Sequence, residues 1–189
     1  MYLGNQVRNI MIYKWLYKTP NAFDDIVMHS DGEYLIGLWF TGMKESSKVN
    51  DNCEEKDLPI FKETSKWLDI YFSGKRPGFT PKYKINNLTP FRQEVINIMK
   101  TIPYGNTITY NDISKIIAKK RGIKIMSSQA VGGAVSWNPI CIIIPCHRVI
   151  GVKGNLTGYN GGINNKVALL ALEKNDMNKY FIPKKGTTL

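Results

Sequence analysis

Cys146 and His147 stand side by side in the segment N-P-I-C-I-I-I-P-C-H-R, Asn138 to Arg148. A thiol held beside an imidazole and the Arg148 guanidinium is the kind whose pKa falls towards neutrality, and the thiolate is the reactive nucleophile. Ile142 to Ile144 form a β-branched apolar run that reads as a short, fully buried strand. Pro145 cannot donate to a sheet ladder and should end that strand, so Cys146 and His147 are expected at a strand's end. The bland alternative is an inert buried thiol. That description suits Cys141, beside the apolar run, better.

The other candidates for chemistry fall away. Three cysteines, Cys53, Cys141 and Cys146, leave an odd one over and form no C-x-x-C pair, which argues against a disulfide framework. Two histidines, His29 and His147, give zinc too few ligands, and adjacent Cys146 and His147 are badly spaced for one tetrahedral ion. His29, next to a turn, reads as a surface residue. No metal is expected.

The elements that must hold the thiol fall into two halves. Residues 1–87 carry 12 Lys/Arg against 11 Asp/Glu, whereas residues 88–189 carry 14 against 4. The basic excess therefore sits with the cysteine motif, and a polyanion such as nucleic acid is the expected partner. Hydrophobic content of 43% with 11% aromatics fits a folded globular protein. No apolar run approaches the ~20 residues of a membrane span. The first residues lack a signal-peptide core, so a cytoplasmic protein is expected.

An α+β domain is expected over 1–87. Residues 9–19 read as a first strand, and 25–29 and 33–40 as two more joined by Ser30-Asp31-Gly32, a hairpin signal. Residues 44–57 are polar and read as a surface loop holding Cys53. Leu58 to Phe72 has helical apolar spacing, with Asp57 as cap and Pro59 in the first turn. Nothing in this half looks catalytic; its expected role is support. A mainly helical domain follows over 88–175, with a tail over 176–189 expected to be loosely held from Lys174 onwards. Thr89-Pro90 opens one helix, and Pro103-Tyr104-Gly105 breaks it. Thr109 and Asp112 form a capping-box pattern for a second helix. After a basic turn over 119–124, Ser127 or Ser128 caps a third, which stops at Asn138-Pro139. Helix, glycine-containing turn and helix form a helix-turn-helix signature beside the short active-site strand. A last helix is expected near 164–172.

The P-C-H-R-V motif, with A-V-G-G-A and N-P upstream, resembles the active-site segment of the 6-O-alkylguanine-DNA alkyltransferases, the methylated-DNA–protein-cysteine methyltransferases. P-Y-G and T-Y (Pro103 to Gly105, Thr109, Tyr110) extend the resemblance, as do G-Y-N-G-G and L-L-A-L-E (Gly158 to Gly162, Leu169 to Glu173). It covers the C-terminal half closely and the N-terminal half in outline. It implies that the Cys146 thiolate takes the alkyl group from guanine oxygen 6 irreversibly, once per molecule and without a cofactor. His147 would deprotonate Cys146 through a water, and Glu173 would orient His147. Tyr110 would hydrogen-bond guanine nitrogen 3, and Asn138 would tie the helix-turn-helix to the cysteine segment.

The same resemblance implies a base flipped out of the duplex. Val135 and Tyr159 would sandwich it, the Cys146 and Val149 carbonyls would accept from its amino group, and the Asn160 amide would face oxygen 6. Gln129, Ala130 and Arg148 would belong to the DNA-contacting set. Gln129 departs from the family, where arginine commonly fills the gap left by the flipped nucleotide. The implied partner is double-stranded DNA containing alkylated guanine, bound by a monomer. Two rivals come from other classes: a helix-turn-helix protein that binds alkylated DNA without catalysis, and a cysteine hydrolase. An intact Cys146 speaks against the first; the second needs an oxyanion hole for which no separate signature is found.

Overall fold

The computed structural model describes residues 11–43 and 53–183. Four strands, β1 (Ile12–Tyr17), β2 (Ile26–Ser30), β3 (Leu35–Phe40) and β4 (Cys53–Glu55), form one sheet in the order β3-β2-β1-β4. β1 pairs antiparallel with β2, β2 antiparallel with β3, and β1 parallel with β4. The three expected strands are thus present, but Cys53 lies on a fourth, at the sheet's edge. The rest of the expected polar loop, 44–52, lies outside the described residues. His29 is not a surface residue. It is 2% exposed, packed edge-on to Trp39 at 5.2 Å, and burial pushes its pKa down to about 4.

Helix α1 (Pro59–Phe72) covers the sheet with the stripe Ile60, Phe61, Thr64, Trp67, Leu68, Tyr71 and Phe72, the spacing that its sequence shows. Its N-cap is Leu58, not Asp57. The Asp57 carboxylate reaches forward to Lys62 at 2.8 Å instead, leaving the extended Leu58 to precede the proline.

The second half is helical: α2 (Pro90–Lys100), α3 (Tyr110–Arg121), α4 (Ser128–Ser136) and α5 (Ile163–Leu172). Thr89 caps α2. Thr109 and Asp112 form the expected capping box on α3, and Gly122 ends it in the left-handed conformation. Ser127 caps α4 by accepting from the Ala130 amide. Ile113 and Ile117 of α3 and Val131 and Ala134 of α4 are all buried where the pair packs. Two short parallel strands, β5 (Ile108–Thr109) and β6 (Val149–Ile150), tie the start of α3 to the segment after the cysteine.

The tail is held further than expected. The Phe181 amide donates to the Gly154 carbonyl at 3.0 Å and the Leu156 amide to the Phe181 carbonyl at 2.9 Å. Tyr180 adds a bond to Asn175 at 3.0 Å.

Hydrogen bonds join the halves at the edge of the sheet and at α5, as well as at the site described below. The free edge of β3 takes up the chain before the cysteine: Leu38 donates to the Pro139 carbonyl at 2.9 Å and accepts from the Cys141 amide at 3.0 Å. Asn165 of α5 accepts from the Asp24 amide at 3.0 Å and donates to the Asp24 carboxylate at 2.8 Å and the Gly161 carbonyl at 2.7 Å. A buried amide with these partners cannot be truncated without orphaning them. Asn165→Ala should lower stability by about 2 kcal/mol, read as a lower midpoint in urea and a fall of several degrees in Tm.

Candidate active site

The isoleucine run is not a strand. Residues 140–144 fold into a tight turn in which the Ile143 amide donates to Cys141 at 2.8 Å and the Ile144 amide to Ile140 at 3.0 Å. Ile142 is forced to φ +67°, a costly conformation for a β-branched residue. The cause is Asn138. Its side-chain amide donates to the Ile144 carbonyl at 2.8 Å and the Ile140 carbonyl at 3.3 Å, and its oxygen accepts from the Ile140 amide at 3.1 Å. These bonds close the loop and override strand propensity. Cys146 to Arg148 then form one 3-10 turn, and the short strand follows the cysteine motif, as β6.

The same Asn138 amide lies 3.1 Å from the Cys146 sulfur. The thiol is held below its ordinary pKa by a hydrogen bond from Cys141, by Asn138 and by the Lys166 charge, against burial, which raises it. Cys141 is therefore no bystander: it lines the same cavity as the nucleophile.

Behind the thiol, His147 Nε2 lies 2.8 Å from Glu173 Oε1. A carboxylate can only accept, so Nε2 carries the hydrogen and Nδ1 keeps its lone pair. Nδ1 has no partner among the described residues. Burial, the largest influence, keeps the imidazole neutral by pushing its pKa down. Glu173 is itself 2% exposed. Burial would raise its pKa, but hydrogen bonds and charge from His147 and Arg148 hold it well below the ordinary carboxylate range. Arg148 donates to both carboxylate oxygens at 2.8–3.1 Å and to the Ile102 carbonyl at 2.8 Å. Tyr71 donates to Oε1 at 2.6 Å and the Gly105 amide to Oε2 at 3.2 Å.

The cavity in front of the thiol is lined by Val135, Asn138, Cys141, Cys146, Tyr159 and Asn160, with Met43 reaching in from the N-terminal half. The Tyr159 hydroxyl is buried beside the thiols and kept protonated by burial and their charge. Tyr110 stands behind the Gly158 carbonyl at 3.4 Å, its pKa raised by burial and then by Cys146. Lys166 is fully buried. Its ammonium donates to the Val149 carbonyl at 2.7 Å and the Thr157 carbonyl at 3.2 Å, and burial lowers its pKa to about 8.

Most residues expected at the site thus converge. Gln129 and Ala130 are exposed on the first turn of α4, outside the cavity. Arg148, expected among the DNA-contacting groups, instead has its guanidinium enclosed by Glu173 and the Ile102 carbonyl, and does not present itself to DNA. Sequence reasoning missed Lys166, Tyr71 and the role of Cys141. Lys166 had a signal, since it lies three and four residues before Leu169 and Leu170 on the buried face of α5. Among the described residues no group of three or more His, Cys, Asp and Glu could hold a metal ion, and no helix is long and apolar enough to cross a membrane.

The sequence and fold match known proteins. Residues 90–175 match the sequence profile of the 6-O-methylguanine DNA methyltransferase DNA binding domain. The crystal structure of the Mycobacterium tuberculosis O6-methylguanine methyltransferase superposes with a TM-score of 0.71 at 36% identity, covering 87% of this chain and 93% of that one. The M. tuberculosis protein in complex with DNA gives 0.69 at 32% identity, covering 90% and 95%. This is the two-domain architecture of the O6-methylguanine methyltransferases. The methylated-DNA–protein-cysteine methyltransferase of Methanosarcina acetivorans is 39% identical over 162 residues, 86% of this chain and 98% of its own. The chain belongs to the methylated-DNA–protein-cysteine methyltransferase family.

Glu173 has a stability role that can be separated by pH. Its folded pKa lies below the ordinary 4.5, so its contribution is complete above that value and is lost as pH falls through the folded value. Glu173→Gln leaves the buried Arg148 without its counter-charge and should cost about 3 kcal/mol near neutral pH. The gap between parent and variant should narrow as urea unfolding is repeated towards about pH 3.

Proposed function

We propose that the protein removes alkyl groups from guanine oxygen 6 in double-stranded DNA and keeps them on Cys146. The observation that carries this is the Cys146 thiol itself, lowered in pKa, bound by Asn138, and facing a cavity bordered by the C-terminal end of α4. His147 Nδ1 takes the thiol proton through a water, with Glu173 fixing the tautomer. The thiolate attacks the alkyl carbon; the carbon–sulfur bond forms as the carbon–oxygen bond breaks, and the electron pair leaves on guanine. A thioether does not leave again, so each molecule acts once.

The base reaches the thiol by flipping, at a cost of a few kcal/mol. Val135 and Tyr159 flank it, Asn160 faces oxygen 6, and the Tyr110 hydroxyl offsets charge developing at nitrogen 3. The carbonyls of Cys146 and Val149 accept its amino group, the latter held by Lys166. The helix pair α3–α4 engages the duplex. Lys120 and Arg121 are paired with Glu94 at 3.3 and 2.6 Å, whereas Lys115 and Lys119 on α3 and Lys124 in the turn after it are exposed. Such contacts hold phosphates without reading sequence, as repair of lesions in any context requires.

Incubation with methyl-labelled DNA tests the reading. The parent protein should gain one methyl group, about 14 Da, on Cys146 and stop, as expected of an alkylated thiolate. Cys146→Ala should bind DNA without transfer, and Cys53→Ala should react as the parent does. An adduct on any other residue, binding without transfer, or repeated turnover each contradicts it.

A second expectation concerns Gln129, on the exposed first turn of α4, where the family commonly has arginine. Gln129→Arg should tighten duplex binding and steepen its salt dependence by about one phosphate-equivalent or less. Gln129→Ala should weaken binding to duplex more than to single strands, where no stack needs refilling. Isotherms over a salt series on both substrates measure this. Equal effects on the two would remove Gln129 from the flipping position.

A further inference from the structure

The N-terminal half sends one hydroxyl into the relay. Tyr71 of α1 is 1% exposed. Its ring is stacked on Trp67 at 5.4 Å and set edge-on to Tyr104 at 6.0 Å. Its oxygen lies 2.6 Å from Glu173 Oε1 and 3.3 Å from His147 Nε2. We propose that Tyr71 is a positioning residue for the His147 base, so that the relay is assembled from both halves of the chain. The proposal rests on the reading of His147 as the base for Cys146.

A buried tyrosine needs only one acceptor, and a backbone carbonyl would serve. Trp67, one turn earlier on the same helix, finds one at Phe79, 2.8 Å away. Tyr71 instead ends on the two groups that set the state of His147. Burial and then the Glu173 charge keep its hydroxyl protonated, so it donates to Oε1, and its oxygen faces the Nε2 hydrogen as a second acceptor. The carboxylate is thereby fixed in place and part of its charge is drawn off His147. The charged or titratable groups facing His147 are Glu173, which raises its pKa, Arg148 and Lys166, which lower it, and Tyr71. Without the hydroxyl, Glu173 acts on the imidazole more strongly and from a looser position.

Tyr71→Phe keeps the ring and removes the bond. Methyl transfer should slow by about tenfold, the acid limb of its pH–rate profile should move to higher pH, and DNA affinity should hold. The chain has two histidines, so nitrogen NMR resolves the effect: the His147 titration should move up while His29 stays. Tyr17→Phe, which removes a hydroxyl bonded to Asp69 at 2.7 Å on the same helix, should change none of these. Site-specific 3,5-difluorotyrosine at position 71, a stronger donor, should move the acid limb the other way and carries the test if the phenylalanine variant does not fold. Parental rate and profile in Tyr71→Phe, or a slower reaction with the profile and the His147 resonance unmoved, overturns the proposal. Absence of transfer by the parent protein would overturn the activity proposed above instead, and the His147 titration would still judge Tyr71.

Discussion

The buried Glu173 carboxylate is the interaction on which the rest of the site depends. A carboxylate removed from water must find donors for its lone pairs or it will protonate. Here it receives Arg148, His147, Tyr71 and the Gly105 amide. Those groups come from the cysteine turn, from α1 and from the break after α2. One charge therefore fixes the ends of three segments distant in sequence. The P-Y-G break has its physical explanation here. Gly105 adopts φ +77°, and a Cβ on it would meet the Glu173 carbonyl at 2.9 Å. Tyr104 lays its ring against Arg148 at 5.7 Å and bonds the Leu172 carbonyl at 3.2 Å.

That arrangement alters what the N-terminal half is for. Its sheet does more than cover a core. The edge of β3 accepts and donates hydrogen bonds across the turn before Cys146, Met43 lines the cavity, and Tyr71 meets Glu173. A nucleophile used once gains nothing from a mobile site, because it needs the correct protonation and position on its single encounter. Strain at Ile142 is consistent with that requirement: the surrounding bonds over-determine a backbone conformation that the residue would not choose.

How legible the molecule was depended on the range of the forces involved. Caps are local, so Thr89, Thr109 with Asp112, and Ser127 were readable from side chains a few residues apart. So were α1, whose apolar period matches its burial, and the first three strands, marked by strand-forming residues and the Asp-Gly turn. Ile142 to Ile144 failed as a strand because Asn138, a tertiary hydrogen-bonding centre, outweighs β propensity there. His29 failed similarly, through the Trp39 ring across the sheet, whereas Asp57 lost the cap position locally, pairing with Lys62 in the helix that it precedes. Of the site, Cys146, His147 and Glu173 were visible through the family motif, whereas Tyr71 looked like any aromatic on an apolar stripe. Nothing local distinguishes a core tyrosine from one whose hydroxyl meets a carboxylate 102 positions away.

The 3-10 turn at the cysteine also has a chemical consequence. Along a strand, neighbouring side chains point to opposite faces, and His147 and Arg148 could not both reach one carboxylate. A 3-10 turn rotates successive residues by about 120°. Over Cys146 to Arg148 that rotation aims the thiol at Asn138 and the cavity while both following side chains converge on Glu173. The nucleophile and its base are thus adjacent in sequence yet occupy separate environments. One faces the cavity where a base would enter; the other is sealed behind it with its counter-charge. Pro145 suits the start of such a turn, since its carbonyl accepts from the Arg148 amide at 3.0 Å while it has no amide of its own to satisfy. The order Pro-Cys-His-Arg is therefore a geometric device as much as a chemical one, and a strand at this position would have separated the groups that it brings together.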